Sequence, residues 1–235
     1  QHTLLYARLS SVNSDAVAQK LMAMEGGEDA ETFSSGMGAI SATLMALLNQ
    51  GDHMVASADI YGGTSGLLTE EFPRFGISTT MADMRDPASY EAAIQDNTKL
   101  LYIETLTNPV LKVCDIEAMA EVAKRHNLLL LIDNTFASPW GCKPLEMGVD
   151  LVIHSTTKYL GGHSDILGGA VVGSKDLIAR IFMRKVHFGA APDPHSCYLL
   201  ERGMRTLDVR MPRICENAHQ LAVRLEDHAA IERVY

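Results

Sequence analysis

The chain has 235 residues, 47% of them hydrophobic, with a formal net charge of −9 and a pI near 5.4. That length fills one sizeable core, and an acidic balance without a local Lys/Arg cluster excludes the electrostatic footprint of a nucleic-acid binder. Leu128–Ile132 is the longest clear apolar run, far short of the roughly 18 residues a membrane span needs. Cys114, Cys142, Cys197 and Cys215 lack a C-x-x-C pair or a histidine at zinc-ligand spacing, so reduced, mostly buried thiols in a cytoplasmic protein are expected, with no metal site. With no initiator Met or signal-peptide pattern, Gln1 reads as the middle of an arm and both ends as trimmed.

Helical and strand patterns then alternate. A helix is predicted over Asp15–Met24, capped by Asn13 or Ser14 and stopped by Gly26–Gly27. A short strand at Glu31–Ser34 feeds the turn Ser35-Gly36-Met37-Gly38 and a helix through Leu48. His53–Ser57, Ile77–Ala82, Leu100–Glu104, Leu128–Ile132, Leu151–His154 and Ala170–Gly173 read as further strands, several apolar enough for burial on both faces, hence a mainly parallel sheet. Asp86-Pro87 and Asp115 start intervening helices at Tyr90–Ile94 and Ile116–His126. Beyond Ser174 the texture is helical: to about His187, then after a Gly-Pro break to Glu201, then a long pattern from Thr206 to about His228 containing Pro212. Ile231–Tyr235 reads as the start of a strand. The implied division is an arm remnant at 1–14, a cofactor-binding body at 15–205, and at 206–235 a linking helix into a C-terminal domain largely missing here.

Open α/β sheets bind ligands beyond the carboxyl ends of their strands. Four polar positions stand there: Asp133 after Leu128–Ile132, Lys158 past Leu151–His154, Asn108-Pro109 past Glu104, and Tyr61-Gly62-Gly63 past Ser57. A pyridoxal 5′-phosphate enzyme needs a lysine to bind the cofactor's aldehyde as a Schiff base, a carboxylate for the pyridine nitrogen, and donors for the phosphate. Lys158 and Asp133 offer the first two; the Ser35-Gly36-Met37 helix start, with the Ser155 and Thr157 hydroxyls, offers the third. Each feature alone has a plainer reading. A strand-end Asp caps turns, a lone Lys is usually a solvated charge, and a Gly-x-Gly turn also serves close packing. Their joint occurrence at successive strand ends points to one site.

The segments Ser34-Ser35-Gly36-Met37-Gly38-Ala39-Ile40, Tyr61-Gly62-Gly63-Thr64, Glu104 to Pro109, Asp133-Asn134-Thr135-Phe136 and His154 through Asp165 resemble the trans-sulfuration enzymes. These pyridoxal-phosphate enzymes include cystathionine γ-lyase, cystathionine γ-synthase, methionine γ-lyase and the homoserine-ester sulfhydrylases. The resemblance covers essentially the whole chain. It implies a three-layer α/β/α aminotransferase-like large domain, a smaller C-terminal domain, and a homotetramer built as a dimer of dimers with shared active sites. By resemblance, Lys158 is the Schiff-base lysine, Asp133 the ring-nitrogen partner, Tyr61 the tyrosine stacked over the ring, and Asn108 the neighbour of its phenolic oxygen. Gly36, Met37, Ser155 and Thr157 match the phosphate cradle, and Tyr6 and Arg8 the pair that reaches the neighbouring subunit's phosphate.

The chain also departs from the family pattern. Ser11-Val12-Asn13 stands where the arm usually continues Asn-Pro-Thr. Gly66 stands where cystathionine-handling members carry an arginine, so a long dicarboxylic substrate loses an anchor; Gly63 stands where methionine γ-lyases carry a cysteine. The expected activity is γ-elimination or γ-replacement on a small sulfur amino acid or homoserine ester, with no nucleic-acid or membrane partner. The alternative is an inactive cofactor-binding or assembly homologue. A nucleotide-binding module is disfavoured because G-x-G-x-x-G and a Walker lysine are missing.

Overall fold

A computed structural model describes residues 6–235, so residues 1–5 of the expected arm lie outside the described residues. In chain order the elements are α1 (Val12–Glu25), β1 (Asp29–Phe33), α2 (Gly36–Leu47), β2 (His53–Ser57), α3 (Gly62–Gly66) and β3 (Ser78–Ala82). There follow α4 (Pro87–Ala92), β4 (Thr98–Glu104), α5 (Ile116–Arg125), β5 (Leu129–Asp133), α6 (Ser138–Gly141) and β6 (Leu151–His154). The chain continues through β7 (Gly169–Gly173), α7 (Lys175–Phe188), α8 (Pro194–Met204) and α9 (Leu207–Glu226).

The seven strands form one sheet in the order β1-β7-β6-β5-β4-β2-β3. From β3 to β6 every neighbouring pair is parallel, whereas β7 runs antiparallel to both β6 and β1. The reversal has a local cause. Residues 155–168, which carry Lys158, contain no helix to make a crossover, so β7 returns directly alongside β6.

Helices cover both faces, giving the expected three layers. One core packs α2 and α7 on the sheet through Ala39, Ile40, Leu44, Ile178 and Ile181 against Leu131, Leu151, Ile153 and Val171. On the opposite face α4 and α5 bury Tyr90, Ile116, Met119 and Val122 against Leu101, Ile103, Ile132 and Val152. A third cluster seats Val17 and Leu21 of α1, Cys197 and Leu200 of α8, and Leu207 and Met211 of α9 on Ala170 and Val172. β2 and β6 are buried at every position, as their unbroken apolar runs require, while the edge strand β3 is mostly part-exposed and rich in Ser and Thr.

Several boundaries move for identifiable reasons. α1 starts at Val12 because Ser11, not Asn13 or Ser14, is its cap, and Ser11 and Ser14 form a reciprocal capping box; the expected arm boundary at residue 14 therefore falls inside the helix. β5 includes Asp133, since that residue still pairs with Ile153. α8 begins at Pro194 under an Asp193 cap and runs to Met204. Pro212 lies inside α9 without ending it, and Ile231–Tyr235 form no strand. Cys114 and Cys197 are buried, Cys142 is partly so and Cys215 is exposed, so only half of the expected thiol burial is seen. No helix among the described residues is long and apolar enough to cross a membrane.

α8 approaches the Lys158 loop very closely. A Cβ on Gly203 would stand 2.2 Å from the Gly161 carbonyl oxygen, which is backbone and cannot swing away. Gly203→Ala is expected to lose roughly 1–3 kcal/mol of stability, as overpacking commonly does, measured by urea titration.

Candidate active site

The parallel register brings three strand ends level, with Glu104 beside Asp133 and Asp133 beside Ile153. Loops leaving those ends, with the start of α2, enclose a cleft of about 220 Å³. Gly36, Met37, Tyr61, Asn108, Asp133, Ser155, Thr157 and Lys158 all line it, so eight of the ten predicted site residues converge on one cavity. Tyr6 and Arg8 lie elsewhere. Tyr6 is exposed, and Arg8 stacks on its ring and donates to the Val186 carbonyl at 2.7 Å on α7 of the same chain.

At one end of the cleft α2 begins. Ser35 caps it by accepting from the Gly38 N–H at 3.0 Å, while the N–H groups of Gly36 and Met37 belong to the first turn, which a helix cannot satisfy internally. A Cβ on Gly36 would lie 2.8 Å from the Ser155 Cβ, so glycine is what allows this helix start to sit against the Ser155 turn. Two donors, the positive end of a 12-residue helix and the Ser155 hydroxyl suit a phosphate. Thr157 lines the cleft and also braces the lysine loop. Its hydroxyl donates to the Gly168 carbonyl at 3.3 Å and accepts the Gly168 N–H at 3.1 Å.

Asp133 closes the floor. Its Oδ1 accepts the Thr135 N–H at 3.0 Å and the Thr135 hydroxyl at 2.5 Å, and no donor among the described residues reaches Oδ2. Burial pushes this carboxyl up from the usual range, while the Thr135 bonds and the neighbouring His154 pull it back. A desolvated carboxylate with one oxygen free toward a cleft suits a cationic N–H partner, such as a protonated pyridine. Thr135 also accepts the Ser155 N–H at 2.8 Å, tying the ends of β5 and β6 together.

Lys158 lines the cleft, is exposed, and makes no ion pair among the described residues. Its backbone is fixed: its N–H donates to Ser155 and its carbonyl accepts Gly162 at 2.7 Å, with Gly162 at a φ of 76° that favours glycine. Opposite it, Tyr61 is 46% exposed, and its ring lies over Gly63, where a Cβ would come within 2.6 Å of Cε1. A side chain at Gly66 would meet nothing within 4 Å.

Glu104 was visible in the sequence as the end of a strand and the first residue of a matched segment, with no role of its own. It is 3% exposed, and its two oxygens accept the Tyr61 N–H at 2.9 Å and the Asn108 N–H at 3.2 Å. One carboxylate thus holds the loops presenting both residues. Its advance signal was an acidic residue closing an apolar strand. Thr135 was likewise legible only as part of a motif.

Burial, and secondarily the Asp133 charge, push the Glu104 carboxyl up from 4.5 to about 7 against the pull of the two N–H bonds. Between those values the folded state keeps a proton that the unfolded chain has released, so this group's contribution favours folding less as pH rises. Cofactor-free protein is expected to lose up to about 3 kcal/mol from this source between pH 5 and 8. Urea unfolding across that range should show a flatter pH dependence for Glu104→Gln.

The whole chain, residues 1–235, matches the family model described as Cys/Met metabolism PLP-dependent enzyme. It is 44% identical to the L-methionine gamma-lyase of Porphyromonas gingivalis over 98% of this chain and 59% of that protein. It is also 44% identical to the cystathionine gamma-lyase of Bacillus subtilis over 100% of this chain and 62% of the relative. The crystal structure of cystathionine gamma-lyase from Lactobacillus plantarum complexed with L-serine superposes with a TM-score of 0.96 at 41% identity, covering 100% of this chain and 62% of that one. The chain therefore spans about 60% of the length of these relatives. It belongs to the Cys/Met metabolism family of pyridoxal-phosphate-dependent enzymes.

Proposed function

We propose that the protein catalyses γ-elimination or γ-replacement on a sulfur amino acid or a homoserine ester, with Lys158 as the residue that carries the cofactor. The convergence of Lys158, Asp133, Tyr61 and the open first turn of α2 on one cleft carries this reading. Bound pyridoxal phosphate supplies an electron sink for charge developing at the substrate's α- and β-carbons.

The first turn of α2 and Ser155 would hold the phosphate, and Asp133 would lie at the ring nitrogen, where a carboxylate favours its protonated form. Tyr61 would flank the ring, while Glu104 holds Tyr61 and Asn108 in place through their backbones. The Lys158 amine lines the cleft and would be the group that moves protons at the substrate's α- and β-carbons. Tyr61 hydroxyl is the second proton-handling group within the cleft. Elimination and replacement share these roles. The open space at Gly66 and the Tyr61 ring over Gly63 support a substrate without a distal carboxylate to anchor.

The same reading assigns residues 15–205 as the cofactor-binding body and 206–235 as the link to a C-terminal domain. Val209, Leu221 and Val223 of α9 are exposed apolar residues awaiting such a neighbour. It further assigns a cytoplasmic homotetramer in which Tyr6 and Arg8 serve the partner's phosphate; their position outside their own cleft supports this.

Borohydride treatment of the holoenzyme should fix the cofactor on the peptide containing Lys158, and Lys158→Ala should take up none while its far-UV spectrum stays unchanged. Label on another peptide would refute the assignment. For the shared site, Arg8→Ala should weaken cofactor retention by about tenfold or more, the scale of one charge-assisted hydrogen bond. Mixing it with Lys158→Ala under subunit exchange should restore activity, because one site of each hybrid pair then carries neither lesion.

A further inference from the structure

The corner between α8 and α9 carries a cation that the roles above do not use. Arg210 is part-buried, and its hydrogen bonds among the described residues all go to neutral oxygens. Its Nε donates to the Thr206 hydroxyl at 2.9 Å and its Nη2 to the Gly203 carbonyl at 3.0 Å, both within the corner. Its Nη1 crosses to the Tyr159 carbonyl at 2.7 Å, on the residue that follows Lys158. The guanidinium also lies flat against Gly162, where a Cβ would stand 2.3 Å from Cζ. One side chain therefore touches the lysine turn at two points.

That turn is otherwise held by its own backbone. The Lys158 N–H donates to the Ser155 carbonyl at 3.2 Å, the Gly161 N–H to Thr156 at 2.9 Å, and the Gly162 N–H to Lys158 at 2.7 Å. The Tyr159 carbonyl accepts no backbone N–H among the described residues, so Arg210 supplies the donor that the turn itself does not. Knitting the α8–α9 corner would need only the Gly203 and Thr206 bonds; the reach to Tyr159 and the contact with Gly162 serve the turn. A guanidinium suits the task because its rigid fork of donors spans two carbonyls and it stays charged without a carboxylate beside it. Leu207 and Met211, either side of Arg210 on α9, are buried with Ala170 and Val172, so the helix is seated where the fork leaves it. Tyr159 in turn meets Phe136 edge-on, with ring centroids 6.4 Å apart, and Phe136 lines the cleft beside Lys158.

We propose that Arg210 is a positioning residue for Lys158: by holding the Tyr159 carbonyl and the face of Gly162, it fixes the turn from which the lysine amine reaches the cofactor's aldehyde. This rests on the cofactor-carrying role given to Lys158 above. A lysine amine stands at the end of a flexible four-carbon stem, so the direction of its attack is set by how firmly its backbone root is held. The start of α2 and Ser155, which suit the phosphate, take no bond from Arg210. Loosening the turn should therefore weaken covalent attachment and spare the grip on the phosphate.

Two ligands separate this role from general support of the fold. Pyridoxal phosphate can bond to the lysine, whereas 4-deoxypyridoxine 5′-phosphate keeps the ring and the phosphate but has a methyl group in place of the aldehyde. Binding of each is titrated on the complete protein as wild type, Lys158→Ala and Arg210→Met. The wild type should prefer pyridoxal phosphate, and Lys158→Ala should lose that preference. Arg210→Met should lower the affinity for pyridoxal phosphate by about tenfold, the scale of one charge-assisted hydrogen bond, and leave the affinity for the analogue unchanged. In a folded Arg210→Met protein, a loss for the analogue at least as large as that for pyridoxal phosphate, or no loss for either, would overturn the proposal and leave the Lys158 role standing. If Lys158→Ala keeps the wild-type preference, the lysine assignment falls and this one with it. Should Arg210→Met fail to fold, Arg210→Lys, which keeps the charge but cannot reach Tyr159 and Gly203 together, decides by the same outcomes.

Discussion

A carboxyl placed at the buried end of a central strand is the constraint around which the site is built. Asp133 sits on β5, with parallel neighbours on both sides and little water to solvate its charge. Desolvation alone would drive such a group neutral. The fold opposes that drift with the Thr135 N–H and hydroxyl on Oδ1 and with the imidazole of His154 beyond the strand end. Asp133 lines the cleft, and no donor among the described residues reaches its Oδ2.

Glu104 meets the opposite circumstance. It lies beside Asp133 in register, and the two carboxyls repel, which is one reason the Glu104 proton is held so firmly. Two neighbouring acids pushed apart in this way take separate tasks: Asp133 addresses the cleft, and Glu104 accepts two backbone N–H groups and fixes the loops of Tyr61 and Asn108.

Backbone contact does the corresponding work around Lys158. The lysine turn is folded tightly enough that Gly161 lies under Gly203 of α8, and Gly162 lies under the Arg210 guanidinium of α9. Arg210 donates to the carbonyls of Tyr159 and Gly203 at 2.7 and 3.0 Å. The helix proposed to lead out of this body thus grips the loop that carries the reactive amine, which places the two on one rigid unit.

Most of the architecture was legible in the sequence because burial on both faces leaves unbroken apolar runs, and β2 and β6 were delimited to the residue. Strand-end position also picked out Asp133 and Lys158 before any geometry was known, since a parallel sheet offers its open edge at those points. Other features exist only once the chain is folded. The reversal of β7 depends on a loop having no helix, and the cap of α1 on which of three nearby polar residues bonds the first turn. The contact of the Thr157 hydroxyl with Gly168, 11 residues along the chain, is likewise set by the fold of the loop. Glu104 opened a matched segment without a role of its own, because a carboxylate gains one only when burial removes its water and the register chooses its neighbours. Residue order determined which groups lie at strand ends; the packing of α9 and the alignment of β4, β5 and β6 decided which of them meet, because contacts between residues 43 and 51 positions apart, Glu104 with Tyr61 and Arg210 with Tyr159, are set by tertiary geometry alone.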